Sequence, residues 1–278
     1  MELSESLSGF LEFEKQVFGD QFPIAAYDQY LIRYGEYQYV LDHLPFQPGD
    51  LVVDLGSDAN VLLFYMAHLG ARVVGVDLNA QLEHAIRTRQ AQVERATGRK
   101  LDLTFKIEDA TQLSSMASNS VDKVTAVSAI EHMFSKQGRG DELVLAAIAR
   151  VLKPGGLAAI TLPTSNGDPF HEAPSGDKRY GLPYRLYTPQ AVEERILSRP
   201  EFETVNLSYL AHTTPDARYP HLHFFQFWMN SLSQKERWKW AWANPLLATI
   251  FNPILSRAEG EQRLETVNTV LICLRKKG

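Results

Sequence analysis

Hydrophobic positions are densest between residues 51 and 77, LVVDLGSDANVLLFYMAHLGARVVGVD, where their period changes twice. Leu51, Val52 and Val53 form a continuous apolar run, the pattern of a parallel strand buried on both faces. Gly56 ends that strand, and from Asn60 the residues Leu62, Leu63, Met66 and Leu69 recur at the spacing of an amphipathic helix, which Gly70 stops. Val73, Val74 and Val76 then make a second strand ending at Asp77. Ligands of open α/β sheets lie beyond the carboxyl ends of the strands, so Gly56 and Asp77 are expected to face one crevice. An acidic residue about 20 positions after a glycine turn is where a carboxylate can hold a ribose diol. The unit therefore predicts a nucleotide site.

The pattern continues downstream. Leu101 to Ile107 alternates as a strand and runs into Glu108-Asp109-Ala110, and Val121 to Val127 is a fourth strand followed by Ser128-Ala129-Ile130-Glu131-His132. Glu142 to Leu152 reads as an amphipathic helix, closed by Lys153-Pro154-Gly155-Gly156 before the strand Leu157 to Leu162. Phe202 to Leu210 and Thr266 to Lys276 are the remaining strand candidates.

The loop after the first strand narrows the nucleotide. A dinucleotide fingerprint needs G-x-G-x-x-G so that backbone amides can approach a pyrophosphate. Gly56-Ser57-Asp58-Ala59-Asn60 instead places a carboxylate where a phosphate would sit, which argues against NAD. Asp54-Leu55-Gly56 resembles the first motif of the class I S-adenosylmethionine-dependent methyltransferases, D-x-G-x-G-x-G, with Asp58 and Asn60 at the second and third glycine positions. RVLKPGGLAAITLP is similar to the fifth-strand signature of many small-molecule methyltransferases. In order and spacing over residues 36–210 the chain resembles the broad type 11 group.

The resemblance implies an α/β fold: a doubly wound, seven-stranded, mainly parallel sheet with an antiparallel last strand at the edge. It also implies S-adenosylmethionine as cofactor. Gly56 and the backbone from Ser57 through Asp58 to Asn60 would then hold the amino-acid end, with Asp54 orienting the loop and meeting the cofactor ammonium directly or through water. Asp77 would hold the ribose and Asp109 the adenine amino group, with Leu78, Ala110 and Ser128 beside them.

Organisation follows from the same reading. The chain is expected to be a single domain with an N-terminal helical lid (1–48), a cofactor-binding core (49–210), a tryptophan-rich helical insertion (211–265) and a final edge strand (266–278). Tyr27, Tyr30, Tyr34 and Tyr37 fall at i, i+3, i+7 and i+10, one face of a helix, and Tyr30, Tyr34 and Tyr37 are candidate pocket residues beside a plain packing role. Arg33 and Glu36 lie on another face and read as solvated or paired with each other. Tyr184 and Arg185, in the RYGLPYRLYT segment, are candidate acceptor-side residues.

His132, after the fourth strand, is the first candidate for a general base, and His171 the second. His221 and His223 lack a third ligand at a telling spacing, so no metal site is assigned. All four tryptophans fall in the insertion, interleaved with Lys235, Arg237 and Lys239. That composition suits a cap, a subunit interface, or peripheral membrane contact through residues 225–255. Asn244-Pro245 and Asn252-Pro253 both read as helix starts.

Global composition bounds the rest. A chain of 278 residues with 45% hydrophobic content can bury one sizeable core. A formal net charge of −5 gives no general pull towards nucleic acid. The single cysteine, Cys273, excludes an intramolecular disulfide and a cysteine-rich zinc site. The acidic start lacks a secretory pattern, and no run reaches the about 18 apolar residues of a membrane span. The expectation is a cytoplasmic methyltransferase acting on a small-molecule or lipid- or sugar-linked acceptor. Its alternative is an inactive cofactor-binding module working through the tryptophan-rich surface.

Overall fold

A computed structural model describes residues 4–19, 30–135, 139–164, 170–174, 183–212, 255–259 and 267–278. Two helices, α1 (Glu5–Phe18) and α2 (Tyr30–His43), precede the sheet. The chain then alternates: β1 (Leu51–Leu55), α3 (Val61–His68), β2 (Arg72–Asp77), α4 (Leu82–Thr97), β3 (Leu103–Ile107), β4 (Val121–Val127), α5 (Gly140–Val151) and β5 (Leu152–Pro163). A small hairpin pairs β6 (His171–Ala173) with β7 (Tyr184–Leu186). The short helix α6 (Pro189–Val192) leads through one wide turn to β8 (Phe202–His212), and β9 (Leu255–Glu259) and β10 (Val267–Lys276) complete the sheet.

Strand order is β3-β2-β1-β4-β5-β10-β8-β9. From β3 through β5 neighbouring strands are parallel, and β10 runs antiparallel to both β5 and β8. This is the expected mixed sheet with one correction. The last strand is antiparallel but interior, because β10 inserts between β5 and β8 and buries Val270 through Leu274 on both faces. The edge is taken by β9, a strand inside the insertion expected to be helical, which pairs with β8 from Ser208 to His212. Asn252-Pro253 is thus followed by a strand rather than a helix, and the added strand covers backbone groups that an edge would leave open. The tryptophans and residues 225–254 lie outside the described residues.

Two apolar layers sandwich the sheet. One, with α5 and α6, gathers Val144, Leu145, Ile148, Val192 and Ile196 against β4, β5 and β10. The other gathers α1, α2, α3 and α4 against the opposite face. The sequence reads α3 as amphipathic, but all of Val61 through Ala67 is buried. Its outer side is covered by α1, whose Phe10 and Phe13 rings lie 5.2 and 5.1 Å from Tyr65. A helix that is apolar all round must be covered all round. That cover brings the N-terminal segment to the ligand end of the sheet.

The glycine-rich turn after α5 also differs from expectation. Lys153-Pro154-Gly155-Gly156 belongs to β5 as an irregularity, with a register shift against β4 between Val121 and Lys123 and a left-handed Gly155 (φ 78°).

Candidate cofactor and acceptor site

Strand order reverses between β1 and β4, and a cavity of about 770 Å³ opens at the carboxyl ends of those strands and β2. Its volume falls in the range of small-ligand pockets, roughly 300–1,000 Å³. Gly56, Asp58, Ala59, Asn60, Asp77 and Leu78 line one side, Glu108 through Thr111 the next. Val127 to Ala129 and His132 to Phe134 line the wall after β4, and Glu14, Arg33, Tyr34 and Tyr37 form the roof.

The loop after β1 is built for close approach at one point only. Gly56 is left-handed (φ 61°), and a Cβ there would meet Ala129 Cβ at 2.7 Å. Asp58, in the second glycine position, also adopts positive φ (42°), and its carboxylate accepts the Ala59 amide at 2.6 Å. Asn60, in the third, caps α3: its Oδ1 accepts from Leu63 N at 2.9 Å and its Nδ2 donates to Asp54 Oδ2 at 3.1 Å. Asparagine therefore does here what a glycine could not.

Asp54 does not reach the cavity. It is buried, with Oδ1 accepting from Thr125 Oγ1 at 2.6 Å and Oδ2 from Asn60, and burial pushes its pKa up to about 6. From there it holds the loop through Asn60, and it does not line the cavity, so of the two expected routes to a cofactor ammonium, direct or through water, only the water-mediated one fits its position. Ser57 is likewise buried beneath the loop, its Oγ against Gly75. Asp77 is fixed by the Asp58 amide (3.3 Å) and the Asn79 amide (2.9 Å). Asp109 is fixed by the Thr111 amide and hydroxyl at 2.8 and 2.7 Å. Ser128, strained at φ 45°, donates to Glu36 at 2.6 Å.

The roof holds what strand-end motifs do not announce. Arg33 and Glu36 are paired at 3.1 Å, as read, but Glu36 is fully buried rather than solvated, and Arg33 faces the cavity. Tyr34 and Tyr37 line the pocket as expected; the side chain of Tyr30 lies outside the described residues, as does Tyr27. Glu14 of α1, absent from the sequence reading, is 3% exposed and accepts the Tyr34 hydroxyl proton. Burial pushes its pKa up to about 8. A signal existed: Glu14 interrupts the apolar face formed by Leu7, Phe10, Phe13 and Val17.

Of the two histidines, His132 lines the cavity, whereas His171 sits exposed on β6 away from its lining. Tyr184 and Arg185 are also absent from the lining, because the hairpin turns them into the protein. Arg185, 1% exposed, bonds Glu172 at 2.5 Å and the Met133 carbonyl at 3.0 Å, and its guanidinium lies 3.8 Å from the Phe134 ring centroid. It braces the wall from behind. Beside it, Arg195 holds Asp141 through two bonds of 2.7 Å. Among the described residues no cluster suits a metal ion, and no helix is long and apolar enough to cross a membrane.

A family model described as a methyltransferase domain matches residues 53–160, the segment from β1 into β5. Residues 53–160 thus carry a methyltransferase domain of the class I S-adenosylmethionine-dependent type, on a fold that binds that cofactor. Among curated proteins it is similar to an S-adenosyl-L-methionine-dependent Diels-Alderase of Talaromyces variabilis, 29% identical over 42% of this chain and 37% of that one. It is also similar to the ubiquinone biosynthesis O-methyltransferase of Xanthomonas campestris pv. campestris, 29% identical over 44% of this chain and 46% of that one. The matches thus span less than half the length of these relatives. Among solved structures, the [4+2]-cyclase SpnF shares the fold, with a TM-score of 0.57 at 17% identity over 88% of this chain and 82% of that one.

Proposed function

We propose that this protein transfers a methyl group from S-adenosylmethionine to a hydroxyl of a small-molecule acceptor, with His132 as general base. The orientation of His132 carries the reading. Its Nδ1 lies 2.6 Å from the Pro183 carbonyl, and a carbonyl only accepts, so the neutral ring keeps its proton on Nδ1 and a lone pair on Nε2. Nε2 is 3.9 Å from Glu131 Oε1, beyond hydrogen-bond reach, which leaves that lone pair available. Histidine changes charge near neutral pH, which suits a base that takes the hydroxyl proton as the oxygen bonds to the methyl carbon.

The residues present suit this cofactor. Asp77 would accept from the ribose hydroxyls and Asp109 from the adenine amino group, each carboxylate being pre-set by backbone amides. Gly56 and the loop beside it, which line the cavity, would border the amino-acid end, and Arg33 would face its carboxylate. Bound S-adenosylmethionine supplies a methyl group already attached to a sulfonium leaving group. The chain's contribution is then alignment of the acceptor and removal of its proton. Tyr34, Tyr37, Met133 and Phe134 would border the acceptor.

Isothermal titration with S-adenosylmethionine, S-adenosylhomocysteine and NAD, followed by S-adenosylhomocysteine release over a panel of phenols and aliphatic alcohols, tests the reading. Binding of the first two but not NAD, with release on at least one alcohol, is expected. Failure to bind either sulfur compound sinks the proposal. A second reading has one observation behind it: two of the similar proteins, the Diels-Alderase and SpnF, are named as cyclising enzymes. A chain that holds the cofactor without transferring its methyl would bind in the titration and release nothing on any acceptor.

A further inference from the structure

Glu14 is costly to bury and has no structural task that needs a carboxylate. α1 is held by its Ser4 cap and by Phe10, Phe13 and Val17, and an apolar side chain at position 14 would extend the same face. One Glu14 oxygen accepts from Tyr34; the other, Oε1, has no hydrogen-bond partner among the described residues, and the side chain lines the cavity. A buried acceptor left unused is destabilising unless a ligand supplies the missing partner.

The other acidic groups lining the cavity already accept hydrogen bonds from the protein, Glu108 from Ser114 and Ser115. Asp54 is sealed beneath the loop by Thr125 and Asn60. Asp77 accepts two backbone amides, Asp109 the Thr111 pair, and Asp58 the amide of Ala59. The cofactor that this fold binds carries a sulfonium and an ammonium, and Asp54, the carboxylate expected to meet the ammonium, is out of direct reach. Beside Glu14 the Tyr34 and Tyr37 rings, 6.1 Å apart and steeply inclined, offer π faces that also favour a cation.

We infer that the Glu14 carboxylate, set by the Tyr34 hydroxyl beneath α1, binds a positively charged group of the cofactor. The inference rests on S-adenosylmethionine being the ligand. An arriving cation holds the carboxylate in its charged form, and the proton it displaces leaves to solvent. The N-terminal helix is then a ligand-reading element as well as a cover.

The test titrates wild type and Glu14→Gln with three compounds: S-adenosylmethionine, S-adenosylhomocysteine, which keeps only the ammonium, and 5′-methylthioadenosine, which has neither charge. The glutamine is isosteric, and circular dichroism checks its fold. S-adenosylmethionine is expected to bind about tenfold more weakly to the variant, with 5′-methylthioadenosine within about twofold. If S-adenosylhomocysteine weakens in parallel the partner is the ammonium; if it does not, the partner is the sulfonium. Equal loss for all three compounds, or no loss for S-adenosylmethionine, overturns the inference. A wild type that binds none of them refutes the cofactor reading itself, an outcome visible before any variant is compared. Should Glu14→Gln not fold, Tyr34→Phe removes only the positioning hydroxyl; about a threefold loss with the same order among ligands is expected, and no change in S-adenosylmethionine affinity overturns the inference.

Discussion

Gly56, Asp77 and Asp109 come to the cavity from the ends of β1, β2 and β3, each placed by a turn a few residues long. Glu14 comes from α1, which packs over α3 and α4, and Arg33, Tyr34 and Tyr37 from α2, which packs against α1 and the strands β4, β5, β8 and β10. The two halves are finished differently. On the strand side the Asp77 and Asp109 carboxylates are oriented by backbone amides before any ligand arrives, with acceptor sites left over for one. On the helix side Glu14 keeps an acceptor unused at low exposure. The comparison assigns shape and placement to the strand ends, and charge recognition to the roof.

The largest test falls on the wall between the two halves. On an acceptor identified by the alcohol panel, His132→Ala should lower turnover by roughly 10²–10⁴-fold while cofactor affinity stays within about twofold. A matching loss of affinity would make His132 a binding residue instead. On the strand side, Asp77→Ala should weaken S-adenosylmethionine by roughly 10- to 100-fold, since it removes a charged acceptor already held in place. Loss of less than about threefold in titration would mean the ribose lies elsewhere.

The roof answers to pH. Burial raises the Glu14 pKa from 4.5 to about 8, so the native state holds that proton more tightly than the unfolded chain. The stability this contributes is complete below the unfolded value and disappears as pH rises through the folded one. Among the described residues, Tyr34 bonds it, Tyr37 feels its charge, and Arg33 and Arg89 line the same cavity. Glu14→Gln should therefore gain thermal stability over wild type at about pH 8.5, on the order of 5 °C, and much less at about pH 5. Equal melting shifts at both values would mean that Glu14 does not titrate as its burial requires.

The smallest effects lie in the loop. Asn60→Ala removes the α3 cap and the clamp on Asp54, which should cost about 1 kcal/mol in denaturant unfolding. Asp58→Gly relieves a left-handed aspartate and should stabilise by a few tenths of a kcal/mol, up to about 1. If Asn60→Gly tightened the cofactor instead of weakening it, the asparagine would be a drifted glycine rather than a cap.

How much could be read in advance follows the same division. The alternation of strands and helices, the strand ends at Gly56, Asp77 and Asp109, and the placement of His132 after β4 were all present as local pattern, because period and turn residues act over a few positions. Three readings gave way where distant segments meet. Leu62 through Met66 looked amphipathic because nothing nearby shows that α1 will cover Tyr65. Tyr184 and Arg185 looked acceptor-facing because only the hairpin with β6 turns them inward onto Glu172 and Phe134. The last strand looked like an edge because only the assembled sheet shows β8 pairing on its far side, with β9 added beyond β8 from an insertion whose strand carries no alternating signal.

The sequence by itself determined the α/β class, the cofactor-bearing strand ends and the methyltransferase resemblance, since each depends on contacts between near neighbours in the chain. Only the tertiary structure decided that Asp54 is sealed and that Glu14 lines the cavity. Burial and hydrogen-bond satisfaction are properties of what packs around a side chain, and for these two residues the packing brings Thr125 to Asp54, 71 positions along the chain, and Tyr34 to Glu14, 20 positions along it.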